Sequence, residues 1–197
     1  MYLKRFEQHQ NKTALIWRDQ KYSYRDLLSL IEDAKVFFKK HNILPGMVVA
    51  LEADFSPQLV AMFFALFDQK AIIVPMSGFV AKNVVEFINI AEVEKRIIID
   101  QDEHVSVQET HVKSSHPLIQ KLQRGQKAGL IFFSSGSSGK SKAIIHDVDK
   151  ILSKFKNPKP AKTTIIFLRF DHAGGINTLL HILLNGGCMV SVNDLNP

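Results

Sequence analysis

A doubly wound α/β fold, in which a largely parallel sheet carries helices on both faces, is predicted by three features of the sequence. Strand-length apolar segments at 47–51, 71–74 and 96–100 alternate with helical segments beginning at Ser56-Pro57 and at Asn83. Their centres are unbroken Val, Ile, Leu and Ala runs, not polar/apolar alternations, as strands covered on both faces require. The chain has 197 residues, 46% of them hydrophobic and 22% charged, which is the composition of one packed domain and excludes disordered, coiled-coil and collagen-like classes.

Taken in order, residues 14–17 and Tyr22 flank the polar Arg18, Asp19, Gln20 and Lys21 and read as a short hairpin. Ser23 stands where a helix cap belongs. From Tyr24 onward Leu27, Leu28, Ile31, Ala34 and Phe38 recur at three- and four-residue steps, one face of a helix ending near Asn42. Pro45-Gly46 breaks the chain before the strand at 47–51. Ser56-Pro57 opens a second helix whose body, 59–67, is apolar nearly all round and therefore buried. A strand at 71–74, a helix at 83–91 and a strand at 96–100 follow. Residues 101–127 turn polar and carry His104, His111 and His116, so they are expected to run over the surface with at most short edge strands. Order resumes with a buried strand at 129–133, a helix around 148–155, a strand at 164–168, a helix at 176–184 and a strand at 188–192. Residues 193–197 add no element, and no internal repeat is present.

Several function classes are disfavoured. The formal charge is +6, from 25 Lys+Arg against 19 Asp+Glu, yet the lysines are spread along the chain without interleaved aromatics, so no nucleic-acid partner is expected. The longest apolar run falls short of the roughly 18 residues of a membrane span, and the first residues lack the apolar centre of a secretory signal. Cys188 is the single cysteine, which excludes an intrachain disulfide and a cysteine zinc site, and a cytoplasmic protein is the expectation. The histidines match no metal-site spacing, so no metal site is expected.

One stretch demands a chemical explanation. Ser134, Ser135, Gly136, Ser137, Ser138 and Gly139 follow a buried strand and lead to Lys140, Ser141 and Lys142. Glycines let the backbone approach a polyphosphate, amides and hydroxyls donate to its oxygens, and ammonium groups neutralise it. Two geometries are open. Gly139-Lys140-Ser141 fits the end of a Walker A loop, although Ser134 stands where the first glycine belongs, and that loop would open a helix carrying Ile144, Ile145, Val148 and Ile151. Equally, residues 142–146 could form a strand closing a hairpin, with Asp147 capping the next helix.

The segment from Phe133 to Ala143 resembles the phosphate loop of the adenylate-forming enzymes, the acyl-CoA synthetase and AMP-binding superfamily. Ser141 replaces the usual Pro and Ala143 the usual Gly, while both glycines, the hydroxyls and Lys142 are kept. The hairpin, the Tyr22-Ser23-Tyr24 helix start, the Pro45-Gly46 turn and the buried second helix are similar in order and spacing to that superfamily's N-terminal subdomain. A second match, Arg169-Phe170-Asp171-His172-Ala173-Gly174-Gly175, is similar to the turn that lies beside the acyl pocket in acyl-CoA-forming relatives, which makes Phe170, His172 and Gly174 pocket candidates.

The resemblance implies an ATP-dependent acid ligase. A carboxylate attacks the α-phosphate of ATP, with Mg2+ accompanying the nucleotide, to give an acyl-adenylate and pyrophosphate, and the acyl group then passes to a thiol such as coenzyme A. The loop from Ser134 to Lys142 would hold the β- and γ-phosphates, with Lys140 or Lys142 neutralising charge. An uncharged, apolar neighbourhood around Phe170 and His172 would favour a fatty or other apolar acid. The superfamily's later motifs and C-terminal domain, with its catalytic Lys, do not occur within 1–197, so this segment is expected to be one partial AMP-binding-type domain, inactive alone and prone to self-association. A non-catalytic phosphate-binding module and a Walker-type NTPase or kinase are the alternatives.

Overall fold

The computed structural model describes residues 2–78, 83–135 and 141–191. Strands fall into two sheets. The larger has the order β6-β5-β3-β4-β7-β8, formed by Val105–Glu109, Lys95–Ile99, Val48–Glu52, Ile72–Met76, Gly129–Ser135 and Ser141–Asp147. Its four inner strands are parallel and both edges antiparallel. The smaller has the order β2-β1-β10-β9, formed by Gln20–Ser23, Thr13–Trp17, Cys188–Ser191 and Thr163–Ile166. β1, β10 and β9 are parallel, and β2 is antiparallel to β1. The predicted class therefore holds, with its strands divided between two mixed sheets where a single sheet was expected.

Alternation along buried strands explains why their sequences are continuously apolar. Val49 and Leu51 of β3 join the core shared with α2 (Tyr24–Lys40), α3 (Pro57–Asp68) and α7 (Ala173–Leu184). Val48 and Ala50 face the opposite way, toward α4 (Val84–Ala91) and α5 (Pro117–Arg124). Local chemistry sets the starts of α2 and α3. Ser23 caps α2: its hydroxyl accepts from the Asp26 N–H at 3.2 Å while the Asp26 carboxylate accepts from the Ser23 N–H at 2.7 Å. The Ser23 hydroxyl also donates to that carboxylate at 2.7 Å, and this bond, with the one from the Ser23 N–H, holds the Asp26 pKa below its usual value. Ser56 caps α3, with Pro57 in its first turn.

Two helices lie where none was expected. α1 (Tyr2–Gln8) has only Tyr2 and Phe6 buried and is held by ring contacts with Phe64 and Tyr24. α5 interrupts the polar stretch 101–127, burying Ile119 and Leu122, and His116 caps it by accepting from the Leu118 N–H at 3.2 Å. His104 and His111 lie outside helices and strands.

Residues 141–147 form β8, paired with β7, and Asp147 caps α6 (Val148–Ser153), accepting from the Asp149 N–H at 2.9 Å. The hairpin geometry is thus the one adopted. A Walker A loop would need a helix through the same residues, and that arrangement is excluded.

Candidate functional site

Ligand sites of parallel sheets form outside the carboxyl ends of the strands, because there connections diverge and leave a crevice. Asp54 follows β3, Ser77 follows β4, and Phe133 and Ser134 stand near the end of β7. A turn at 169–172 leads into α7, and α4 closes from the other face. Between them lies a cleft of about 320 Å³, lined among the described residues by Pro75, Asn83, Phe87, Phe133, Arg169, Asp171 and His172.

One wall is apolar and flat: the rings of Phe87 and Phe133 stack at 3.8 Å with 5° between their planes. The other is charged. The Ser77 hydroxyl, itself buried, donates to Asp171 Oδ2 at 2.7 Å. Arg169 Nε lies 3.3 Å from Asp171 Oδ1, and an Arg169 guanidinium nitrogen lies 3.0 Å from His172 Nε2. The Asp171 side chain is only 9% exposed, so its charge is placed by the fold. Beside it, the Asp54 carboxyl is raised above its usual pKa, first by burial and then by the Asp171 charge, with Arg169 opposing.

Gly175 sets the turn. A Cβ there would lie 2.1 Å from the Arg169 carbonyl oxygen, so only glycine lets α7 start this close to the chain that carries Arg169, Asp171 and His172.

The sequence-predicted residues divide. Ser134 and Lys142 are register partners across the β7–β8 hairpin and both are exposed. Ser135 pairs with Ser141. Gly136, Ser137, Ser138, Gly139 and Lys140 lie outside the described residues, as does the side chain of Ser135. His172 lines the cleft. Gly174 is exposed in the first turn of α7 and does not line it.

Two corrections follow. Phe170 is 1% exposed and turned into the core, its ring edge-on to Phe55 and Phe63 at 5.7 and 5.4 Å. Burial of that ring sends its neighbours Arg169 and Asp171 to the cleft instead, so the neighbourhood expected to be uncharged carries an ion pair. Asn83, Phe87, Pro75, Arg169 and Asp171 were not anticipated. Arg169 and Asp171 carried a readable signal, charges following an apolar, strand-forming run; Phe87 carried none, since its helix reads as an ordinary connection between strands.

The fold and cleft define an α/β protein with a crevice at the carboxyl ends of its parallel strands, next to the β7–β8 hairpin. The AMP-binding enzyme family model matches residues 3–197, and the chain belongs to that family. No curated protein matches it. Among solved structures it is similar to the Klebsiella oxytoca NpsA N-terminal subdomain in complex with 3-hydroxyanthranilyl-AMSN, with TM-score 0.77, 22% identity, and 100% of this chain against 54% of that one covered. It is also similar to o-succinylbenzoate CoA synthetase (MenE) from Bacillus subtilis in complex with the acyl-adenylate intermediate OSB-AMP, with TM-score 0.75, 15% identity, and 97% of this chain against 55% of that one covered. At these identities the likeness is one of fold, and the chain spans about half the length of either structure.

Proposed function

We propose that this chain supplies the phosphate loop and part of the acid-binding cleft of an adenylate-forming enzyme. One observation carries the reading: Phe133 forms the cleft wall, and the next residue, Ser134, is the first hydroxyl of the loop. An acid in the cleft and a phosphate on the loop are then neighbours, which is what joining them requires. In the reaction a carboxylate oxygen of the acid bonds to the α-phosphorus of ATP, the bond from that phosphorus to the bridging oxygen breaks, and pyrophosphate carries away the charge. Loop hydroxyls and Lys142 offset that charge. Mg2+ enters as part of the MgATP substrate. Passage of the acyl group to a thiol such as coenzyme A is the second half-reaction we assign to the whole enzyme.

For the acid, the stacked Phe87–Phe133 wall offers a face for a planar ring, and Arg169, Asp171 and His172 offer hydrogen bonds to polar substituents. A compact aromatic acid with hydroxyl or amino groups suits this cleft better than a long alkyl chain. The 3-hydroxyanthranilyl and 3-hydroxybenzoyl compounds bound by NpsA are of that kind.

Calorimetric titration of the chain with MgATP tests the reading. Binding is expected, weakened about tenfold in Lys142→Ala by loss of a charge-assisted contact. Equal affinity of the variant, or no binding by the wild type, would overturn it. Formation of ADP in place of AMP by a longer form would point instead to a hydrolytic NTPase.

A further inference from the structure

We infer that α4 braces both feet of the Ser/Gly-rich loop, with Glu86 and Phe87 as positioning residues for phosphate binding; this rests on the phosphate reading above. The loop leaves β7 after Ser135, two residues beyond Phe133, and returns to β8 at Ser141, with Ser134 paired to Lys142 at its base. Consecutive residues of α4 meet both sides. The Phe87 ring covers Phe133 at 3.8 Å, and the Glu86 carboxylate accepts from the Ser141 N–H at 3.2 Å. Behind them Ile88 and Ile145 pack on the same apolar cluster. β8 is an edge strand whose partner in the sheet is β7, so α4 provides a second point of attachment.

This geometry has two effects of opposite sign. Fixing the feet holds Ser134 and Lys142 in register, which lowers the cost of aiming them at an anion. The Glu86 carboxylate also places negative charge beside the seat of a polyanion, which disfavours it. Because the Ser141 N–H is already committed to Glu86, the anion at this end must draw on Lys142 and the hydroxyls.

The test uses this chain with inorganic triphosphate, which has no acyl group or nucleoside, so cleft contacts of Phe87 with an acid play no part. Two readouts are taken: triphosphate affinity at low salt, and hydrogen exchange at the Ser141 amide without ligand. Glu86→Ala is expected to speed that exchange and weaken triphosphate about fivefold through the lost hydrogen bond. Glu86→Gln keeps an acceptor and sheds the charge, so exchange stays slow and triphosphate binds as tightly or about twofold tighter. Phe87→Ala weakens binding and Phe87→Tyr restores it; if the alanine variant fails to unfold cooperatively, Phe87→Leu takes its place.

The brace alone is overturned if Lys142→Ala loses triphosphate while Glu86→Ala and Phe87→Ala bind it like wild type, or if Ser141 exchange is unchanged in Glu86→Ala. Absence of triphosphate binding by the wild type overturns the phosphate reading, and the positioning role falls with it.

Discussion

Asp54 carries a cost that the fold imposes on one side chain. Burial and the nearby Asp171 charge raise its folded pKa, so the folded state binds its proton more tightly than the unfolded chain does. The penalty is fully present above the folded pKa. It is relieved as pH falls through that value, and is absent below the unfolded value of about 3.9. Asp54→Asn is therefore expected to raise the melting temperature at pH 7 and to change it little at pH 3.5. Thermal unfolding at the two pH values checks this, and an unchanged or lower melting temperature at pH 7 would contradict it.

At the scale of elements, the β7–β8 hairpin and α6 are joined by Asp147. Burial alone would raise its pKa, but the Lys127 ammonium at 2.6 Å and the backbone N–H groups of the helix start outweigh it and hold the carboxyl below its usual value. Its stabilising contribution is thus present above about pH 3.9 and fades as pH falls through the lowered folded value. Asp147→Ala is expected to cost about 1 kcal/mol at pH 7, read by urea unfolding, with a smaller difference in acid.

Legibility in the sequence followed the density of local signal. The Ser23-to-Asp26 capping box and the Leu27, Ile31, Ala34, Phe38 spacing specify α2 without help from the rest of the chain. α1 offers only Tyr2 and Phe6 to the core, too little periodicity for a seven-residue helix, and its packing on Phe64 and Tyr24 selects it. α5 was hidden because its cap is His116 and its buried residues number two. Ile144 and Ile145 suit a strand or a helix equally, so pairing with β7 decided β8. Of the cleft, the loop composition and His172 were visible, whereas Phe87 meets Phe133 only once the sheet has brought together residues 46 positions apart.

Across the whole molecule, the two sheets share one core through the helices between them. The Tyr24 hydroxyl, on α2, lies 2.7 Å from the Gly187 carbonyl oxygen and 3.1 Å from that of Leu183, bridging the first long helix to the end of α7 and the approach to β10. Tyr24→Phe keeps the ring and strands a buried carbonyl. A loss of about 1–2 kcal/mol is expected in chemical denaturation, with both sheets still unfolding in a single transition. Separate transitions would mean that the sheets are energetically independent.

The pairing of β1 with β10 puts Leu15 beside Met189, so the smaller sheet closes between strands about 170 residues apart. During synthesis the N-terminal hairpin emerges roughly 10–30 s before its neighbour can reach it. For that interval one side of Leu15 and Ile16 is an open template, and the newborn chain depends on whatever shields it on the ribosome.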